Sequence, residues 1–381
     1  MQGTCNARTA AGTFATTTVV QARRGLPRWR RDERVGAAKA NRKRRPYRSR
    51  RRWVATILAR VAAARSTSIA TVGPLRSVGA DALPFAGTLH ARVEETGSVV
   101  CLGIDPRPEA HPSTHPAAHD HDPARVAKAV VTYYRALMDA AHAHLASVKL
   151  QSAFFERLGI PGLVAMAQLL VDARERGLPA ILDAKRGDIG STATAYADAY
   201  LGGGVFDADA LTVHPYLGMD SLEPFIDAAS RNGRGVFVLV RTSNPGGADL
   251  QDLRVSGLEH GGQERWTVAD RVADLLTERA RELGVDAHGY GPLGAVVGGT
   301  IPQRLTELRQ RLPHAILLVP GFGAQGAGPD EVKGAFDRHG FGAIVSASRS
   351  LSHRDGEDPP GEAAAAAERM ARDLRAVRRN V

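Results

Sequence analysis

Cysteine is nearly absent: 381 residues contain two, Cys5 and Cys101. No disulfide framework follows from that, and a reducing, cytoplasmic setting is the expectation. Aromatic residues are scarce as well, at 5% of the chain. No apolar run approaches the ~20 consecutive residues of a membrane-spanning helix, so no membrane role is expected. A third deficit is local. Residues 1–83 carry 3 Asp+Glu against 19 Lys+Arg, whereas residues 84–381 carry 37 against 31. The net charge of +10 therefore belongs to an extension and conceals an acidic body.

That extension also lacks sustained hydrophobic periodicity and holds the run Arg42-Lys43-Arg44-Arg45-Pro46-Tyr47-Arg48-Ser49-Arg50-Arg51-Arg52. Taken alone, such a run suggests nucleic acid, a membrane surface or a targeting signal. Arg with Ser, Thr and Ala and few acids is transit-peptide composition, and translated sequence upstream of a misplaced start codon looks the same. The expectation for residues 1–83 is a basic, low-complexity, disordered extension without a function, with one isolated helix at Trp53 to Ala64. Targeting and a binding arm remain alternatives, and nucleic acid is not the expected partner.

From Pro84 onward, apolar strand-like runs alternate with helical patterns. The runs are Ser98 to Asp105, Ala146 to Gln151, Pro179 to Lys185, Ala210 to Tyr216, Gly235 to Arg241, Leu293 to Gly298, Ala315 to Gly321 and Ala343 to Arg349. Helices are predicted at Pro123 to His144, Ile160 to Arg176, Ser191 to Tyr200, Asp220 to Ser230, Glu264 to Leu283, Pro302 to Arg311, Pro329 to Phe336 and Glu362 to Arg375. Asp122 is the expected N-cap of the first of these, with Pro123 at its first position. Val126, Val130, Tyr133 and Leu137 fall on its apolar stripe. An eightfold strand-helix repeat over residues 84–381 predicts an α/β protein with a (β/α)₈ TIM barrel. A doubly wound open sheet is the alternative.

Barrels of this kind work at the carboxyl ends of their strands. Polar groups gather there: Asp105 after the first run, Lys149 on the second, Asp183 and Lys185 on the third, His214 on the fourth and Thr242-Ser243-Asn244 after the fifth. Residues two apart on a strand share a face, so Asp183 and Lys185 should stand together, with Asp188 supplied from the following loop. Charges crowded in this way must be paired, and a structural ion pair is the plain alternative to a catalytic one. Pro320-Gly321-Phe322-Gly323-Ala324-Gln325-Gly326 follows the seventh run and Arg349 the eighth. Backbone N–H groups and a forked guanidinium at those positions suit a phosphate.

This set resembles the orotidine 5′-monophosphate decarboxylases, in particular the longer bacterial branch of that family. The likeness covers about residues 84–378 and rests on Gly103-Ile104-Asp105-Pro106, Val148-Lys149, Asp183-Ala184-Lys185-Arg186-Gly187-Asp188, Thr242-Ser243-Asn244-Pro245, the Pro320 to Gly326 segment and Ser348-Arg349-Ser350. It implies that Lys149, Asp183, Lys185 and Asp188 form an alternating charge network around the reacting carbon. It further implies that Asp105 binds ribose, Ser243 the pyrimidine, and Gln325 and Arg349 the phosphate. A homodimer with shared sites follows from it, Asp188 and Thr192 reaching into the neighbour. Ala347-Ser348 departs from the glycine that many members carry before the arginine.

The implied activity is conversion of orotidine 5′-monophosphate to uridine 5′-monophosphate, the last step of de novo pyrimidine nucleotide synthesis. Loss of CO₂ leaves a C6 carbanion that no adjacent carbonyl delocalises, so a cation and a proton are needed there, and Lys185 can supply both. No metal or organic cofactor is expected. The rival reading is a magnesium-dependent sugar-phosphate decarboxylase or aldolase of the same superfamily. Lys149 opposes it, since an ammonium repels Mg²⁺. A nucleic-acid-binding protein acting through the basic tail is the rival from another class. Elsewhere, His111, His115, His119 and His121 are expected in a solvated loop, His214 as a structural histidine, Trp266 in the core, and Ala248 to Gly262 as a loop ornament.

Overall fold

A computed structural model describes residues 83–107, 111, 112, 115, 119–255, 266–323 and 326–379. Residues 1–82, with the helix expected at Trp53 to Ala64, lie outside the described residues, as does Gln325. Eight strands follow: β1 Val100–Ile104, β2 Ser147–Gln151, β3 Ala180–Arg186, β4 Ala210–Val213, β5 Gly235–Arg241, β6 Leu293–Val297, β7 Leu317–Val319 and β8 Ala343–Ala347. All pair in parallel with the next, and β8 pairs with β1, so the sheet is a closed barrel in sequence order. The expected TIM barrel is what the chain forms, and the open sheet is excluded by the β1–β8 pairing. Every residue of β1, β4, β6, β7 and β8 is buried, as strands covered by helices outside and side chains inside must be.

Local chemistry sets the helix boundaries. Helix α1, Phe85–Thr96, precedes the barrel and has no counterpart among the helices predicted from the sequence. Phe85, Leu89 and Val93 recur every four residues on its buried face, but His90 and Arg92 are buried beside them and blur the stripe. Phe85 meets Phe237 of β5 edge-on at 5.8 Å, and the Phe85 N–H donates to the Gly233 carbonyl at 2.9 Å. Burying a side chain such as Leu89 completely stabilises the fold by roughly 1.5–3 kcal/mol.

Helix α2, Pro123–Ala141, begins where expected, the Asp122 carboxylate accepting from the Ala124 N–H at 3.0 Å. It ends three residues early, in a 3₁₀ turn at His142–His144. Helix α3, Gly190–Leu201, follows the loop after β3 and contains the span predicted there. Helix α4, Val268–Ala280, starts at a reciprocal Thr267–Asp270 capping box. Trp266 precedes that helix and is half-buried under the Arg311 guanidinium, 4.6 Å from its ring, rather than in the core. A one-turn helix α5, Arg349–Ser352, follows β8 directly.

The histidine-rich loop after β1 also departs from expectation. His119 and His121 are exposed, but His111 is 5% exposed, its ring 4.9 Å from both His115 and Tyr133. Neither ring nitrogen of His111 has a hydrogen-bond partner. Among the described residues, no group of three or more His, Cys, Asp or Glu is placed to hold a metal. Burial, reinforced by the charges of His115 and His353, pushes the His111 pKa down to about 3.

A histidine depressed in the fold takes up its proton first in the unfolded chain, so its contribution is present above pH 6.5 and lost as pH falls toward 3. The slope from one such proton is at most about 1.4 kcal/mol per pH unit. His111→Phe, which keeps the ring packing against Tyr133, should therefore unfold with a shallower loss of Tm between pH 6.5 and 4 than the parent. Identical slopes in thermal scans would mean that His111 is not held neutral.

Candidate active site

Three neighbouring strands build the centre of the barrel mouth. On β2, Lys149 and Gln151 share a face, and the β2–β3 register sets Gln151 beside Asp183. Asp183 Oδ2 accepts from Lys149 Nζ at 2.9 Å and from Gln151 Nε2 at 3.0 Å. Its Oδ1 accepts from Lys185 Nζ at 2.5 Å and from Thr212 Oγ1 of β4 at 2.9 Å. Lys149 and Asp183 are buried, whereas the Lys185 side chain is 44% exposed and faces the opening. Desolvation alone would raise the Asp183 carboxyl, but the Lys149 and Lys185 charges hold it well below the usual carboxylate range. Desolvation likewise opposes the Lys149 ammonium, and the charges of Asp183 and Asp105 outweigh it, raising that pKa. A depressed acid loses its stabilising contribution only toward acid and a raised base only toward alkali, so both groups are charged throughout the neutral range.

Lys185 reaches this cluster by an irregular path. Its φ of 48° is the one positive value at a non-glycine residue among those described, and the β3–β4 register shifts between Leu182 and Arg186. For an L-residue this left-handed conformation costs roughly 1–2 kcal/mol. The pairing of Lys185 with Asp183 is as expected, but a break in strand geometry delivers it rather than simple alternation. The Lys185 N–H is held by Thr212 Oγ1 at 3.0 Å. Gln151 and Thr212 are not among the site residues named from the sequence. Their signal was polarity inside apolar runs, with Gln151 two residues past Lys149.

Other strand ends supply the rim. Asp105 follows β1, and its Oδ1 is buried without a hydrogen-bond partner, near enough for its charge to be felt by Lys149. Ser243 follows β5 and is half-buried, its carbonyl near Thr300 Oγ1 at 3.4 Å. Arg349 opens α5 and is exposed. Ser348 has a local reason. A Cβ on Gly103 of β1 would lie 2.0 Å from Ser348 Oγ, so the glycine on one strand makes room for the serine after the other. Ser350 Oγ is buried without a partner, and Gly323 of the loop after β7 lies against that side chain. The loops after β7 and β8 are therefore neighbours, as a shared phosphate grip needs.

Asp188 and Thr192 are not brought to the cluster. Asp188 is half-buried, accepts from the Ile189 N–H at 2.8 Å and forms no ion pair with either lysine. Thr192 is exposed in the first turn of α3. His214 packs against the loop that follows β3, where a Cβ on Gly187 would fall 2.3 Å from its Nε2, and its Nδ1 is buried without a hydrogen-bond partner. After β5, Arg241 pairs with Asp252 at 2.8 Å, and Gln251 Oε1 accepts from the Thr242 N–H at 2.8 Å. The start of the Ala248 to Gly262 excursion is thus tied to the barrel rather than ornamental; residues 256–262 lie outside the described residues.

Comparison with known proteins bears on the barrel as a whole. Residues 98–365, which include every strand, fit the model of the orotidine 5′-phosphate decarboxylase / HUMPS family. The orotidine 5′-phosphate decarboxylase of Rhodopirellula baltica is 48% identical over 275 residues, 71% of this chain and 88% of that protein. That of Deinococcus radiodurans is 40% identical over 274 residues, covering 72% and 91%. Among solved structures, the OMP decarboxylase of Leishmania donovani superposes with a TM-score of 0.61 at 32% identity, covering 78% of this chain and 99% of that one. On this fold and these matches, the chain belongs to the orotidine 5′-phosphate decarboxylase / HUMPS family.

Proposed function

We propose that the protein decarboxylates orotidine 5′-monophosphate to uridine 5′-monophosphate in pyrimidine synthesis, with Lys185 as the group that meets the reacting carbon. The observation that carries this reading is the buried Asp183 carboxylate flanked by Lys149 and an exposed Lys185. When the C6–carboxylate bond breaks, CO₂ leaves and the electron pair stays on C6. The Lys185 ammonium stabilises that pair and transfers a proton from Nζ to C6, and solvent then restores the proton to Nζ. Asp183 fixes the ammonium and sets a negative charge beside the departing carboxylate, which disfavours the bound ground state.

The rim residues take the remainder of the nucleotide, Asp105 the ribose, Ser243 the pyrimidine and Arg349 the phosphate, the last together with Gln325, which lies outside the described residues. Phosphate binding energy, made far from C6, can then be used to hold a closed, water-excluding state. The magnesium-dependent rival would need oxygen ligands free where Lys149 donates to Asp183, and an ammonium in that place disfavours it. No helix among the described residues is long and apolar enough to cross a membrane. A cytoplasmic setting suits Cys101, a free thiol buried in β1.

A homodimer completes the proposal. Ile189 is 59% and Tyr216 80% exposed, and the Gly187–His214 contact brings their two loops together. Apolar side chains exposed around Asp188 and Thr192 suit a two-fold interface through which these residues serve the partner's site.

The reaction is tested by incubating the protein with orotidine 5′-monophosphate and EDTA while following the ultraviolet change. Stoichiometric uridine 5′-monophosphate is expected, and turnover only on adding Mg²⁺ would contradict the reading. The shared site is tested by mixing inactive Asp188→Ala and Lys185→Ala subunits. Random exchange makes roughly half the dimers mixed, each with one intact site, so activity should return to about one quarter of the parent's. No recovery despite demonstrated exchange would place Asp188 in its own chain's site.

A further inference from the structure

Thr212 lies within β4, 1% exposed, where a strand facing the barrel interior would ordinarily carry an apolar side chain. Its hydroxyl accepts the Lys185 N–H at 3.0 Å and donates to Asp183 Oδ1 at 2.9 Å. The same Oδ1 accepts from Lys185 Nζ at 2.5 Å, which closes a ring. The ring runs from the Lys185 backbone through Thr212 and Asp183 back to the Lys185 ammonium, and it spans the one non-glycine residue with positive φ among those described. A hydroxyl is the smallest side-chain group that can accept one hydrogen bond and donate another at once. Leucine, valine or alanine at this position would take the side-chain partner from a part-buried backbone donor and from a lone pair of a buried carboxylate.

We infer that Thr212 is a positioning residue for the reaction: its hydroxyl locks Lys185 in the left-handed conformation and so fixes where the ammonium stands relative to the carbon that becomes anionic. This rests on the proposed role of Lys185. Lys185 has no β-branch to stiffen it and relaxes toward the extended region once its N–H is released, carrying the ammonium away from Asp183 Oδ1. Thr212 is 1% exposed and its hydroxyl is engaged by Lys185 and Asp183, so it acts through Lys185, and its contribution appears where C6 gains charge and not where the rest of the nucleotide binds.

The test compares Thr212→Val, an isosteric change that removes the hydroxyl, with Thr212→Ser, which keeps it; Thr212→Ala replaces the valine variant if that does not fold. Thr212→Val should lower kcat by about 10²-fold with KM for orotidine 5′-monophosphate and Kd for uridine 5′-monophosphate within about threefold of the parent. Its affinity for a uridine monophosphate analogue with an oxyanion at C6 should fall with kcat, and Thr212→Ser should restore both. Amide hydrogen exchange at Lys185, which needs no substrate, should accelerate in Thr212→Val and not in Thr212→Ser. Unchanged kcat in Thr212→Val, or parallel losses of uridine monophosphate and oxyanion binding, would overturn the assignment. If the parent does not turn over orotidine 5′-monophosphate, the proposed reaction fails instead, while the exchange comparison still decides whether Thr212 holds Lys185.

Discussion

A carboxylate shut into the mouth of a barrel survives as an anion only while cations hold it, and Asp183 depends on two. Lys149 and Lys185 approach its opposite oxygens, and Gln151 and Thr212 fill the acceptor sites that remain. Removing one charge of the buried Lys149–Asp183 pair costs about 3–5 kcal/mol, because a buried partner charge is left undercompensated. The cluster is therefore demanding as well as stabilising. It requires β2, β3 and β4 in one register and Lys185 in a backbone conformation that lysine does not favour. The gain is a rigid ammonium at the opening, held before any ligand arrives.

The barrel suits this demand because each strand end can be specialised without disturbing its neighbours. The strands are largely buried, so one closed core can carry Lys149, Asp183 and Thr212 within β2, β3 and β4 and place Asp105, Ser243 and Arg349 just beyond β1, β5 and β8. Charge sits at β2 and β3, where the proposed chemistry occurs, and the segments after β7 and β8, where a phosphate would be gripped, lie beside each other. Pairs such as Gly103 with Ser348 show how closely those loops are fitted.

The strands were legible because parallel strands covered on both faces read as short apolar runs, and all eight fall within or one residue beyond the runs read from the sequence. Lys149, Asp183 and Lys185 were legible because charges at the ends of apolar strands have to be paired, and three of them at one barrel mouth mark a site. Helix α1 was not, since its buried His90 and Arg92 interrupt the stripe. The burial of His111 was hidden because its packing against Tyr133 depends on a contact distant in sequence. Gln151 and Thr212 are ordinary polar residues until the register sets them on Asp183. The left-handed turn at Lys185 has no sequence sign at all, and its N–H bonds to Thr212 on the neighbouring strand. Asp188 and Thr192 stand apart from the cluster within one chain, and the role expected of them from the sequence belongs to the proposed dimer.

The dependence of turnover on the Asp183 charge is the most direct measure of this account. In a folded Asp183→Asn variant the two lysines lose their shared counter-ion, while the rim proposed to hold the nucleotide is untouched. The account predicts that kcat for orotidine 5′-monophosphate falls by about 10³-fold, with uridine 5′-monophosphate affinity within about threefold of the parent. A folded variant that retained kcat within about tenfold would show that the charge network is structural and that the chemistry lies elsewhere.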